Sequence, residues 1–276
     1  TTGNFVPEIE KRRLVEDLSP FTVASITPVI VDPETLYLIL DVSARFNSNL
    51  TTLGSDDLQG TITNTLTNFN NNSLKTFNSA FRHSQVTKLI DDSDTSLTSN
   101  ITRVVLGKFF TPTLNETIGY TISFNNVIFN PHAGHNTNEG GVIASTGFKV
   151  SGDTVNEMFL DDDGAGNIRR FYILSGEKKY VDNTAGTINY GNGILSLNPL
   201  TINQVSDVDN TSSTQIRITT IPDSVDIIPV RNQLLEIDLV NTAVNVAIDR
   251  LGVGDINTVN TADLATSSFT KTVSGY

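Results

Sequence analysis

Leu36-Tyr37-Leu38-Ile39-Leu40-Asp41-Val42-Ser43-Ala44-Arg45-Phe46 is the stretch from which the rest of the chain is read. From Leu38 onward, apolar Leu38, Leu40, Val42, Ala44 and Phe46 alternate with polar Asp41, Ser43 and Arg45. A period of two puts successive side chains on opposite faces of a strand, so one face is buried and the other is wet or turned to a partner. A second such run is Asn100-Ile101-Thr102-Arg103-Val104-Val105-Leu106-Gly107-Lys108-Phe109-Phe110. It sets Thr102, Val104 and Leu106 on one face and Ile101, Arg103 and Val105 on the other.

Between these runs the period changes. Ser55 can cap a helix, with Asp56 and Asp57 in its first turn where the macrodipole favours negative charge. Leu58, Ile62, Leu66 and Phe69 follow at i, i+4, i+8 and i+11, a single helical stripe. Gly60 and the many Thr and Asn residues make this helix weak alone, so it needs a sheet beneath it. Asn70-Asn71-Asn72-Ser73 ends it. A shorter helix capped by Asn78 or Ser79 buries Val86, Leu89 and Ile90 and stops at Asp91, Asp92 and Asp94. The expectation is an α+β fold: a small β-α-α-β module with helices on one face of a sheet, plus a β-rich insertion or second domain.

Working outward, residues 1–19 read as an N-terminal arm in which Glu8, Glu10, Lys11, Arg12 and Arg13 form a solvated charged face. Pro20, Pro28 and Pro33 bracket an extended region, with Phe21, Val23 and Ile26 as an edge strand. The module is assigned to residues 20–129, with Ile118 to Phe129 as a further strand. Residues 130–200 read as a β-rich domain or insertion of short strands with turns at Asp161 to Asn167 and at Tyr190-Gly191-Asn192-Gly193. Residues 201–251 hold the alternating runs Gln215 to Ile221 and Leu234 to Val240, expected to return to the first module. Residues 252–276 read as a polar tail that orders only against a neighbour.

Composition narrows the function. The 276 residues carry a net charge of −12 and no cysteine. Disulfides, zinc-thiolate sites and thiol catalysis are thereby excluded. Such an acidic chain is repelled by phosphate backbones, so nucleic acid is not an expected partner. No apolar run is long enough to span a bilayer as a helix, so no membrane partner is expected either. The Thr, Asn and Ser bias suits extended, turn-rich architecture with large subunit contacts.

Three constellations invite a chemical reading. Asp161-Asp162-Asp163-Gly164-Ala165-Gly166-Asn167 offers oxygen ligands beside glycine, as a calcium loop requires. Ala165 stands at the fifth position and Tyr172 at the twelfth, however, and a hairpin turn explains every residue. His132 and His135 are spaced for a metal, but only the distant Glu139 offers a third ligand, and His83 reads as a surface or interface residue. There is no Gly-x-Ser-x-Gly elbow and no phosphate loop. No catalytic, cofactor-binding or metal residue is therefore assigned, no cofactor is expected, and the chain is not expected to be an enzyme. A carbohydrate- or receptor-binding β-rich module of a tail fibre or surface protein is the alternative. A polysaccharide-degrading enzyme comes third.

Ser19-Pro20-Phe21-Thr22, Thr27 to Glu34, Phe77 to Ser84, Lys88 to Asp92 and Ser99 to Thr102 carry a family likeness. In their order and spacing, over roughly Glu16 to Phe124, the chain resembles the C-terminal part of the baseplate wedge proteins of T-even-like contractile-tailed phages, an inner-ring subunit of the baseplate J-like family. The resemblance implies a structural subunit of the virion tail baseplate, assembled in the host cytoplasm. It implies dimers that link into a ring around the tail tube and that bind other baseplate wedge proteins. It also implies a further portion upstream of Thr1.

Overall fold

The computed structural model describes residues 7–21, 28–30, 32–130, 141–208 and 212–250. The tail expected over Gly252 to Tyr276, and Val23 and Ile26 of the expected edge strand, lie outside these. Three α-helices are described: α1 (Glu8–Leu18), α2 (Ser55–Phe69) and α3 (His83–Asp91). Strands dominate. They are β1 (Glu34–Phe46), β2 (Leu97–Phe110), β3 (Thr117–Ser123), β4 (Ile143–Ser145), β5 (Phe148–Val150) and β6 (Asp153–Asp162), followed by β7 (Asn167–Leu174), β8 (Glu177–Asn189), β9 (Ile194–Val205), β10 (Ile216–Thr220), β11 (Gln233–Ile237) and β12 (Ala243–Ile248). Among the described residues no helix is long and apolar enough to cross a membrane.

The strands form two six-stranded sheets. The first runs β11-β1-β2-β10-β4, and β12 also pairs with β1. β1 and β2 are antiparallel, with Leu40 opposite Val104 and Leu38 opposite Leu106. β11 and β12 both lie parallel to one edge of β1, β11 along Glu34 to Leu38 and β12 along Asp41 to Phe46. They act as one interrupted edge strand. At the interruption, the Leu40 N–H donates to the Thr242 hydroxyl at 3.2 Å. The second sheet runs β3-β9-β5-β6-β7-β8, and a further β8–β9 pairing closes β9, β5, β6, β7 and β8 into a five-stranded barrel. Closure requires a bare backbone at Gly186, where a Cβ would sit 2.4 Å from the Ser196 carbonyl oxygen.

This corrects the α+β expectation. The protein is mostly β, and β1 and β2 do not make up a small β-α-α-β module. The reason is that their alternating residues bury a face far wider than two strands and two short helices can close. Four further strands, from residues 143–145, 216–220, 233–237 and 243–248, complete that sheet. The β-rich segment closes on itself, which removes sheet edges that would otherwise stay unpaired.

Local readings fared better than the class assignment. Leu58, Ile62, Leu66 and Phe69 are the buried residues of α2. The asparagine run does not stop the helix outright, because Asn70–Leu74 continues it as a π-helical turn. Asn70 is buried there, accepting the Ile237 N–H at 2.8 Å and donating to the Ile237 carbonyl at 3.4 Å, which ties the turn to β11. Asn78 does not cap α3. It takes a left-handed φ of 62°, which asparagine tolerates, and α3 begins at His83. The cap comes from far along the chain: Asp226 accepts the His83 N–H at 2.9 Å and pairs with Arg82 at 3.0 Å. Those two donors, the backbone N–H first, hold the Asp226 carboxyl below its ordinary range. Phe81 and Ile227 exchange backbone hydrogen bonds beside this cap, both at 2.9 Å.

Candidate assembly surface

The residues of β1 and β2 that point away from the main core form one open face of the first sheet. Tyr37 and Ile39 come from β1, and Val105 and Phe109 from β2. All four are half-buried. Tyr37 and Phe109 meet edge to face with ring centroids 5.0 Å apart. Burial, with the Glu236 carboxylate second, raises the Tyr37 phenol above its ordinary value. Ile101, on the same face, is 67% exposed. Together with Tyr37, Ile39, Val105 and Phe109 it makes this a face of mixed apolar and charged residues, the composition of a protein contact surface.

Arginines frame these apolar residues. Arg45 lies at the far end of β1, Arg103 opposite Asp41, and Arg217 of β10 opposite Phe109. Among the described residues none of the three makes an ion pair, although Arg103 and Asp41 are cross-strand neighbours. The Arg217 Nε is buried without a hydrogen-bond partner. It borders a groove of about 250 Å³ shared with Phe109, Thr146 and Val240. A second groove of about 350 Å³ opens between Pro33, Tyr37 and Phe110 of the first sheet and Ile122 of β3.

The acidic turn Asp161 to Asn167 has another use. Asp161 and Asp162 are not in the turn but in β6, paired with Arg169 and Ile168. Asp161, 2% exposed, accepts from Arg169 Nε at 2.9 Å, Lys178 Nζ at 2.8 Å and the Tyr180 hydroxyl at 2.9 Å. Asp162 turns the opposite way, as alternation demands, and accepts the Ile143 N–H at 2.8 Å and the Tyr190 hydroxyl at 2.6 Å. Asp163 alone shapes the turn, accepting the N–H groups of Ala165 and Asn167 at 2.8 and 2.9 Å. Burial alone would raise its carboxyl, but the Asn167 side chain and these N–H groups outweigh that and hold it below the usual range. The three carboxylates thus face three different sets of donors. Among the described residues, no three His, Asp or Glu side chains gather as a metal site would.

This network has a spectroscopic consequence. Burial, then the hydrogen bond to Asp161, pushes the Tyr180 phenol up to about 12, and the same causes with Asp162 raise Tyr190 further. The folded state therefore holds these protons longer than the unfolded chain does, so their contribution is complete below pH of about 10 and falls as pH rises toward about 12. Ultraviolet titration should find two of the six tyrosines ionising last, together with unfolding. Ionisation of all six at the ordinary value in folded protein would contradict the network.

His83, the first residue of α3, places Nε2 2.8 Å from the Thr102 carbonyl oxygen, a structural contact between helix and β2. His132, His135 and Glu139 lie outside the described residues. Gly191 to Gly193 forms the β8–β9 turn. Sequence reading missed β12, whose signal was the alternation of Val244, Val246 and Ile248, and missed the roles of Arg217 and Asp226. The histidines and the acidic turn drew attention by residue type, whereas alternation along β1 gave one side of the open face and pairing register showed which residues of β2 and β10 share it.

Residues 34–108 match a family model described as baseplate structural protein gp6, C-terminal domain III. No curated protein matches the chain. The matched segment spans β1 through most of β2, within the stretch that carried the resemblance to baseplate wedge proteins, and bears it out. It covers the two strands that carry most of the open face.

Proposed function

We propose, on the premise that residues 34–108 form a structural domain of a phage tail baseplate, that the whole chain acts as a structural subunit of the contractile tail. It works by associating with itself and with other wedge proteins, catalyses no reaction, and engages neither nucleic acid nor membrane. The observation that carries this reading is the open face itself. The matched segment buries one side of its sheet in the core and leaves Tyr37, Ile39 and Val105 half-buried and Ile101 exposed on the other, with Phe109 continuing the same face just beyond it. A half-apolar face with a charged frame has the make-up of a protein contact, with an apolar centre and a polar rim. The virion is where such a contact is used, after assembly in the host cytoplasm.

The test is sedimentation of the full chain over a concentration series, alone and mixed with the other wedge proteins of the same phage. A mass that rises with concentration, or co-sedimentation with a wedge protein, is the expected result. A strict monomer that co-sediments with none of them would overturn the reading.

A further inference from the structure

We propose that α1 of a second copy lies across the open face of the first sheet, so that neighbouring copies are joined by exchanged N-terminal helices; this rests on the self-association proposed above. Two unpartnered surfaces in one chain point to it. The first is α1 with the 3-10 turn Ser19–Phe21 that follows it: Leu14 and Leu18 stand one turn apart on α1 and Phe21 ends the 3-10 turn, and they are 45%, 46% and 86% exposed. An amphipathic helix of 11 residues is too short to hold itself in water and normally owes its stability to a surface that covers such a stripe. The second is the open face of the first sheet, with Ile101 toward one end between Arg103 and Arg45 and no layer of described elements laid over that end.

Charge fits one to the other. Glu10 lies four residues before Leu14 and Asp17 three residues after it, so both line the same flank of α1, about 10 Å apart at 1.5 Å per residue. On the sheet, Arg103 stands opposite Asp41, four residues before Arg45, which separates the two arginines by about 13 Å along the strand. A helix laid along β1 and β2 therefore brings its two carboxylates near two guanidinium groups that have no ion-pair partner among the described residues of their own chain. Lys11 is already held by Glu8 at 2.7 Å and Asp32 at 2.6 Å, and Arg12 lies on the far side of the helix.

The same Lys11–Asp32 pair decides between a chain's own helix and a neighbour's. It fixes α1 just before the start of β1, whereas Arg45 lies thirteen residues beyond Asp32, about 43 Å along an extended strand. A helix about 16 Å long cannot span that distance while the anchor holds. The occupant is thus the helix of another copy.

The chain has no cysteine, so introduced thiols report contacts without background. Full-length Leu18→Cys and Ile101→Cys variants, mixed under mild oxidation, should give a covalent pair of one of each at several times the yield of either alone. Arg45→Glu with Arg103→Glu should weaken self-association at least tenfold, and mixing that variant with Glu10→Lys plus Asp17→Lys should restore it. If the wild type self-associates but the Leu18→Cys and Ile101→Cys variants form no mixed disulfide and Leu18→Asp leaves its mass unchanged, the helix exchange is wrong and self-association stands. A single chain carrying both substitutions to cysteine that closes on itself as a monomer would place the helix in its own sheet and also overturn the exchange. A wild type that stays monomeric at every concentration would remove the self-association on which the exchange rests.

Discussion

Replacing Asp161 with alanine should destabilise the protein by about 3–5 kcal/mol, because it leaves the 5%-exposed Arg169 as a buried cation without its counter-ion. The carboxylate is the shared acceptor for Arg169, Lys178 and Tyr180, so three donors lose a partner at once. Arg169 also lies 4.4 Å over the Tyr180 ring and donates to the Asp162 carbonyl, so it is too well packed to swing out to water. Asp163→Ala, which loses only turn hydrogen bonds, should cost about 1 kcal/mol. Urea unfolding of both variants checks the contrast. Equal small losses would mean that water reaches Arg169 and that the network contributes little. Replacing Asp161 and Arg169 together by apolar residues should recover much of the loss, since removing a whole buried pair is far less costly than breaking it.

Phe81→Ala is expected to cost a similar amount, about 3–5 kcal/mol, for a different reason. Phe81 is fully buried and its backbone exchanges hydrogen bonds with Ile227, itself fully buried. This side chain joins the segment before α3 to the segment between β10 and β11, two parts of the chain nearly 150 residues apart. Truncation leaves a cavity that the rigid bridge cannot close, and the adjacent Asp226 cap on α3 should loosen with it. Denaturant unfolding gives the loss, and amide exchange at His83 reports the cap. A loss below about 1 kcal/mol would mean that the site collapses around alanine and that the bridge is not a fixed joint.

Both variants act on features that residue type alone does not announce. Phe81 sits in a segment with no clear periodicity, and Ile227 lies in a proline-flanked connection. Their pairing depends on which segments the sheet brings together. The acidic turn was legible as a turn, but the separate duties of Asp161, Asp162 and Asp163 follow from the strand running through Asp162. Within the segment expected to hold short strands, β8 is one strand of 13 residues, bulged where β7 and β8 change register. Bulges hide continuous strands from a reading by alternation, because each extra residue reverses the face.

The open face was half legible. Alternation from Leu38 to Phe46 required one side of that strand to be buried and the other to meet water or a partner, and it did so without any knowledge of neighbours. The stripe from Leu58 to Phe69 likewise fixed α2 and its buried side. These are local consequences of helix and strand geometry, and the sequence determines them by itself. The width of the first sheet, the closure of the second into a barrel, the cap on α3 and the arginines that frame the open face all depend on segments far apart in sequence. Tertiary structure decided those, because register between distant strands is set by the joint burial of both partners and is written in neither one alone.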